Sequence, residues 1–125
     1  MKSKWKDKEA NKYIKKYVSK GINIELALRI YTTHLLGNDP SLVLHGGGNT
    51  SLKLIQKNYF GSKMNVIYVK GSGKDMSNID IDGFPALELD NLLKLKNIKK
   101  MNDFQMLNFQ KKYMIDTNFP NASIE

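Results

Sequence analysis

Apolar positions recur at helical spacing in the first part of the chain, where Ala10, Tyr13, Ile14, Tyr17 and Val18 share one side and lysines occupy the other. This predicts an amphipathic helix ended by Gly21, since glycine readily takes the left-handed conformation at a helix C-terminus. Asn23 is placed to cap a second helix, whose stripe of Ala27, Ile30, Tyr31, His34 and Leu35 runs out near Gly37. Asp39-Pro40 then breaks the pattern, because the residue before proline is pushed out of the helical region.

From Leu42 the period shortens. Leu42-Val43-Leu44 predicts a strand, Gly46-Gly47-Gly48 a turn, and Thr50 to Ile55 a second strand in which Leu52 and Leu54 alternate with Ser51 and Lys53. Asn58 to Asn65 reads as a turn, and Val66-Ile67-Tyr68-Val69 as a third strand that opens into Gly71-Ser72-Gly73. Residues 74–88 are polar and irregular around Asp80, Asp82-Gly83 and Pro85. Leu89, Leu92, Leu93 and Leu95 predict a short helix. Asn102 or Asp103 caps a last one, with Phe104, Leu107, Gln110, Lys111 and Met114 along adjacent turns and Met106, Phe109 and Tyr113 widening its apolar side. Asn118 to Ser123, broken by Pro120, reads as loop. No repeat or long linker divides the 125 residues, so the pattern is that of one α/β domain, a sheet with helices packed around it.

Two glycine loops carry the candidate chemistry. In His45-Gly46-Gly47-Gly48-Asn49-Thr50-Ser51 the glycines permit positive φ and close approach of main-chain N–H groups to an anion, while Asn49, Thr50 and Ser51 add side-chain donors. The plainer reading is a glycine hairpin between two strands. Lys70-Gly71-Ser72-Gly73 ends a strand and offers backbone donors and a hydroxyl, with Lys70 and Lys74 as nearby cations. Neither loop fits a nucleotide fingerprint: Met76 stands where the dinucleotide motif needs its third glycine, and the P-loop spacing would need glycine at Tyr68 and Ser or Thr at Asp75. At the far end, Ser123 and Glu125 put a hydroxyl two residues before a carboxylate. A glutamate in a dry pocket can move a proton; a solvated terminal residue is the plainer reading.

Composition narrows the rest. With 41% apolar and 26% charged residues the chain can collapse, and it has no run approaching a membrane span nor a secretory h-region after its basic start, so a cytoplasmic protein without membrane association is expected. The absence of cysteine excludes disulfides and thiolate chemistry, leaving His34 and His45 as the histidines available to a metal. They lack the helical spacing of a zinc pair, so His34 is read as a core or helix-surface residue and His45 as orienting its loop. The net charge of +8 suggests nucleic acid, but eight lysines against Asp7 and Glu9 lie in residues 1–20, and Arg29 is the sole arginine. Base and phosphate forks favour arginine, so nucleic-acid binding is not expected.

Taken in order, these blocks resemble the class II aldolase/adducin family. The resemblance rests on Arg29-Ile30-Tyr31-Thr32 with Leu35-Leu36-Gly37, on Leu42 to Ser51, on Tyr68 to Gly73, and on Asn121-Ala122-Ser123-Ile124-Glu125. The second and third blocks are most similar to the long members in which a rhamnulose-1-phosphate aldolase-like domain precedes a short-chain dehydrogenase. The resemblance implies a three-layer α/β/α domain, incomplete at its C-terminus, with residues 1–125 as its N-terminal portion. It also implies a zinc-dependent lyase that cleaves a ketose 1-phosphate to dihydroxyacetone phosphate and an aldehyde, and that assembles as a homo-oligomer when complete. By motif position Gly48, Asn49, Ser72, Gly73 and Ser123 would hold the phosphate and Glu125 would be the acid/base. The family's zinc histidines follow that glutamate, so this chain is expected to hold no metal and to be inactive alone. A non-catalytic adducin-like remnant or oligomerisation module is the alternative the same resemblance allows.

Overall fold

The computed structural model describes residues 3–44, 47–58 and 60–123. The chain folds into two compact units, Met1–Thr50 with Gly73–Ile81 and Ser51–Ser72 with Asp82–Glu125. Each is discontinuous in sequence.

The first unit is built on two helices. Helix α1 (Asp7–Val18) carries Asp7 and Glu9 in its first turn and Lys15 and Lys16 in its last, both favourable to the helix dipole. It buries Ala10 and Tyr17. Its end is a Schellman closure: Gly21 at φ 78° donates to the Val18 carbonyl at 2.9 Å and Ile22 to that of Tyr17 at 3.0 Å. Helix α2 (Ile24–Gly37) starts where Asn23 Oδ1 accepts the Glu25 N–H at 2.7 Å and buries Leu26, Ala27, Ile30, Tyr31 and Thr33. Residues 75–80 are tied to these helices by side chains. The Tyr17 hydroxyl donates to Asp80 Oδ1 at 2.7 Å, His34 Nε2 bonds the Ile79 carbonyl, and Asn38 Nδ2 donates to the Ser77 carbonyl at 3.3 Å. Met76 and Ile79 are buried there.

The second unit is an antiparallel sheet of order β1-β2-β3: β1 (Ser51–Lys57), β2 (Lys63–Val69) and β3 (Ala86–Glu88). Leu52 faces Tyr68 and Leu54 faces Val66, so the alternation that predicted β1 also sets its register. Ile67 faces Leu87 in the second pairing. Leu87, Met114 and Ala122 form a buried cluster with Ile67, Val69, Leu92 and Phe119 against it. Helix α3 (Leu89–Leu93) leads through a 3-10 turn to α4 (Asp103–Lys112), which opens with a capping box between Asn102 and Gln105.

Three expectations change. Leu42-Val43-Leu44 is not a strand: Asp39 accepts the Ser41 N–H and hydroxyl on its carboxylate and the Leu42 and Val43 N–H groups on its carbonyl, which winds the segment into a turn. The stretch read as irregular contains β3, which β2 templates on one side while Ile115 donates to the Ala86 carbonyl on the other. Helix α4 turns Met106, Phe109, Gln110 and Tyr113 inward as half-buried residues and leaves Phe104 exposed at 74%.

Gly37 has no room for a methyl group, because a Cβ there would lie 2.4 Å from the backbone of Met76 and Ser77. Gly37→Ala is expected to cost about 1–3 kcal/mol, read as a lower urea midpoint at unchanged slope. A second test uses Asp80, whose carboxyl is held below its ordinary 3.8, first by the Tyr17 hydroxyl and then by the Ile81 N–H and nearby lysines. A depressed carboxyl stabilises the fold above its ordinary value and loses that contribution as pH falls through its folded value. Tyr17→Phe is therefore expected to lower stability by about 1 kcal/mol at pH 7, with the gap to wild type narrowing below pH 3.8 in acid melts.

Candidate functional site

The candidate phosphate-holding residues are divided between the units: Gly48, Asn49 and Gly73 in the first, Ser72 and Ser123 in the second. In the first unit, Gly48 takes φ 82°, the left-handed region. A Cβ at Gly48 would also meet the Met76 sulfur at 2.5 Å and Val43 Cγ1 at 3.2 Å. Glycine at 48 is thus required both by backbone conformation and by space, and it leaves the exposed Asn49 at the surface of the turn. The Thr50 hydroxyl, 2.8 Å from that of Thr33, is tied to helix α2. His45 lies outside the described residues.

In the second unit two segments about fifty residues apart are joined. Gly71 and Ala122 form an isolated antiparallel bridge, with Ser72 N–H donating to the Asn121 carbonyl at 2.7 Å and Ser123 N–H to that of Lys70 at 3.0 Å. Ser72 and Ser123 are thereby brought to one short ribbon. Gly71 N–H donates to the Gly83 carbonyl at 2.7 Å. The main-chain donors of Gly71, Ser72 and Ser123 are therefore used within the fold. Lys70 at the base of the loop is 2% exposed, with Nζ 3.3 Å from the Gly71 carbonyl oxygen. Glu125 lies outside the described residues.

His34 fills a structural place. The Ile79 carbonyl only accepts, so His34 Nε2 carries a proton and donates to it, while Nδ1 shares a hydrogen bond of 2.7 Å with the Tyr13 hydroxyl. Burial, and then the neighbouring Tyr31, raises the Tyr13 hydroxyl above the ordinary phenol value, which keeps it a donor. Both ring nitrogens are engaged, and among the described residues no three His, Cys, Asp or Glu side chains are grouped to hold a metal. A cavity of about 530 Å3 beside α1 and α2, lined by Lys4, Lys6, Tyr13, Tyr31 and His34 among others, contains none of the sequence-predicted residues. No helix among the described residues is long and apolar enough to cross a membrane.

No protein-family model matches the chain. It is 36% identical over 96 residues to an uncharacterized oxidoreductase, YuxG, of Bacillus subtilis (strain 168), a match covering 77% of this chain and 14% of that protein. In fold it is similar to the N-terminal class II aldolase domain of a conserved protein from Thermoplasma acidophilum, at TM-score 0.73 and 39% identity over 78% of this chain and 45% of that one. The chain thus spans less than half the length of each of these relatives.

Gly48→Ala is expected to destabilise the first unit by about 1–2 kcal/mol through the left-handed backbone alone. Methyl resonances of Val43 and Met76 should shift with it; an unchanged melting midpoint would show that the turn can relax to another conformation.

Proposed function

The chain belongs to the class II aldolase family, and from that premise we propose that it is the phosphate-holding portion of an aldolase domain acting on a ketose 1-phosphate. The reaction is cleavage of a carbon-carbon bond to give dihydroxyacetone phosphate and an aldehyde. What supports this most is the ribbon that joins Gly71-Ser72 to Ala122-Ser123, since it brings two serines that the family resemblance assigns to one phosphate onto the same short pair of segments. Asn49, presented by the left-handed turn at Gly48, is a further donor in this reading. Glu125 would move the proton as the enediolate develops.

Zinc is the family's Lewis acid, and the described residues do not fit it. His34 is committed to Tyr13 and Ile79, and no other donor set is grouped among those residues. No step is assigned to a metal held by them. The sugar, homo-oligomeric assembly and a cytoplasmic location belong to the proposal for the protein as a whole.

The test is a coupled assay for dihydroxyacetone phosphate with a panel of ketose 1-phosphates, run on the gene product as the cell makes it, with and without zinc. Turnover is expected, with Asn49→Ala raising KM about tenfold through loss of a hydrogen bond to a charged group. An unchanged KM and rate would remove Asn49 from the site. No turnover with any substrate would leave the non-catalytic, adducin-like reading.

A further inference from the structure

We propose that the cavity beside α1 and α2 is a binding site for a small aromatic carboxylate, whose ring lies against Tyr13 and whose charge meets Lys6. The site belongs wholly to the first unit and contains none of the residues of the aldolase reading, so it stands or falls apart from that reading. Its volume of about 530 Å3 is in the range of small-molecule pockets.

The wall of the cavity is aromatic and held in place. The Tyr13 ring lies 4.9 Å from the ring of Tyr31 and 5.5 Å from that of His34. Its hydroxyl shares a hydrogen bond of 2.7 Å with His34 Nδ1, which fixes the ring's orientation. Tyr31 is buried and ties down the segment before α1, since its hydroxyl accepts the Lys6 N–H at 3.0 Å. Tyr13 and Leu35, both half-buried, line the cavity together. They offer apolar surface that a second ring can cover in an offset or edge-on packing.

The charge at the rim is positive. Lys4, Lys6 and Glu9 line the cavity, and Glu9 Oε1 already holds Lys12 Nζ at 3.2 Å. Lys4 acts on Asp39, whose carboxyl is held below its ordinary value first by Ser41 and then by Lys4. Lys6 makes no ion pair among the described residues, so its ammonium is the cation open to an incoming anion. It is the residue at which α1 starts, and Tyr13 lies seven positions on, two turns along the same face and about 10 Å away along the axis. A lysine side chain and a ligand with its carboxylate one or two bonds from the ring together span that distance. An exposed ammonium alone holds a carboxylate weakly in water. A ligand that carries both ring and charge gains both contacts for one loss of translational freedom, which selects an aromatic carboxylate over a simple anion or a neutral arene.

The test is a titration of the full chain with phenylacetate, read by the emission of Trp5 and by the NMR signals of the Trp5 indole N–H and the Tyr13 and Tyr31 rings. Trp5 is the sole tryptophan, and its ring lies 4.9 Å from that of Tyr31. A saturable change in these signals is expected. Phenylacetamide, the neutral isostere, should bind about fivefold more weakly, and acetate should produce no saturable change at concentrations that saturate with phenylacetate. Lys6→Gln, at an exposed side chain, should weaken phenylacetate about fivefold, while Lys63→Gln, an equal loss of charge on β2, should leave it unchanged. No saturable change in any of the three residues overturns the site. Binding of acetate as tight as that of phenylacetate overturns the part given to Tyr13. Equal affinity for phenylacetamide, or for phenylacetate in Lys6→Gln, overturns the part given to Lys6, as would equal weakening by Lys63→Gln.

Discussion

Pairing of residues 70–72 with residues 121–123 is the constraint on which the second unit's candidate chemistry depends. Two hydrogen bonds, from Ser72 to Asn121 and from Ser123 to Lys70, close a loop of about fifty residues. Such closure costs chain entropy that two backbone bonds do not repay alone. The burial of Ala122 against Leu87 and Met114 adds to them, since that cluster is shared by β3, the segment after α4 and the far arm of the ribbon. The polar face of the ribbon thus exists because its other face is core.

The first unit depends on a different device. Residues 75–80 contribute no strand or helix, and polar side chains of α1 and α2 hold them: Tyr17 on Asp80, His34 on the Ile79 carbonyl, Asn38 on the Ser77 carbonyl. Buried backbone groups that lack secondary structure need such partners. This is where the sequence-visible histidine is used, and it explains why a residue that looks like a metal donor is committed to holding the fold.

Much of this was legible in the residues. Gly21 and Asn23 marked the end of one helix and the start of the next because both act through local geometry, and the alternation around Leu52 and Leu54 gave the strand its face. Leu42 to Leu44 misled because three apolar residues look like a strand whatever they do, and the deciding group, the Asp39 carboxylate, acts from outside the run. Strand β3 left no signal, since Ala86-Leu87-Glu88 is too short for a period and is held by its neighbours. Gly48 was visible as part of a glycine triplet. The adjacency of Ser72 and Ser123 came only through family resemblance, because a contact across fifty residues leaves no local pattern. The burial of Lys70 was likewise invisible in a sequence with 20 basic residues.

The division of the chain has a consequence for how it can be taken apart. It passes from one unit to the other after Thr50, after Ser72 and after Ile81, so each unit is assembled from two separated stretches. A cut after Thr50 would keep the whole second unit on one piece but carry residues 73–81 of the first with it, and a cut after Ile81 would keep the whole first unit but carry residues 51–72 of the second; only a cut after Ser72 would divide both units. The middle crossing is the peptide between Ser72 and Gly73. The loop proposed to hold phosphate is therefore also a point where the chain leaves one unit for the other.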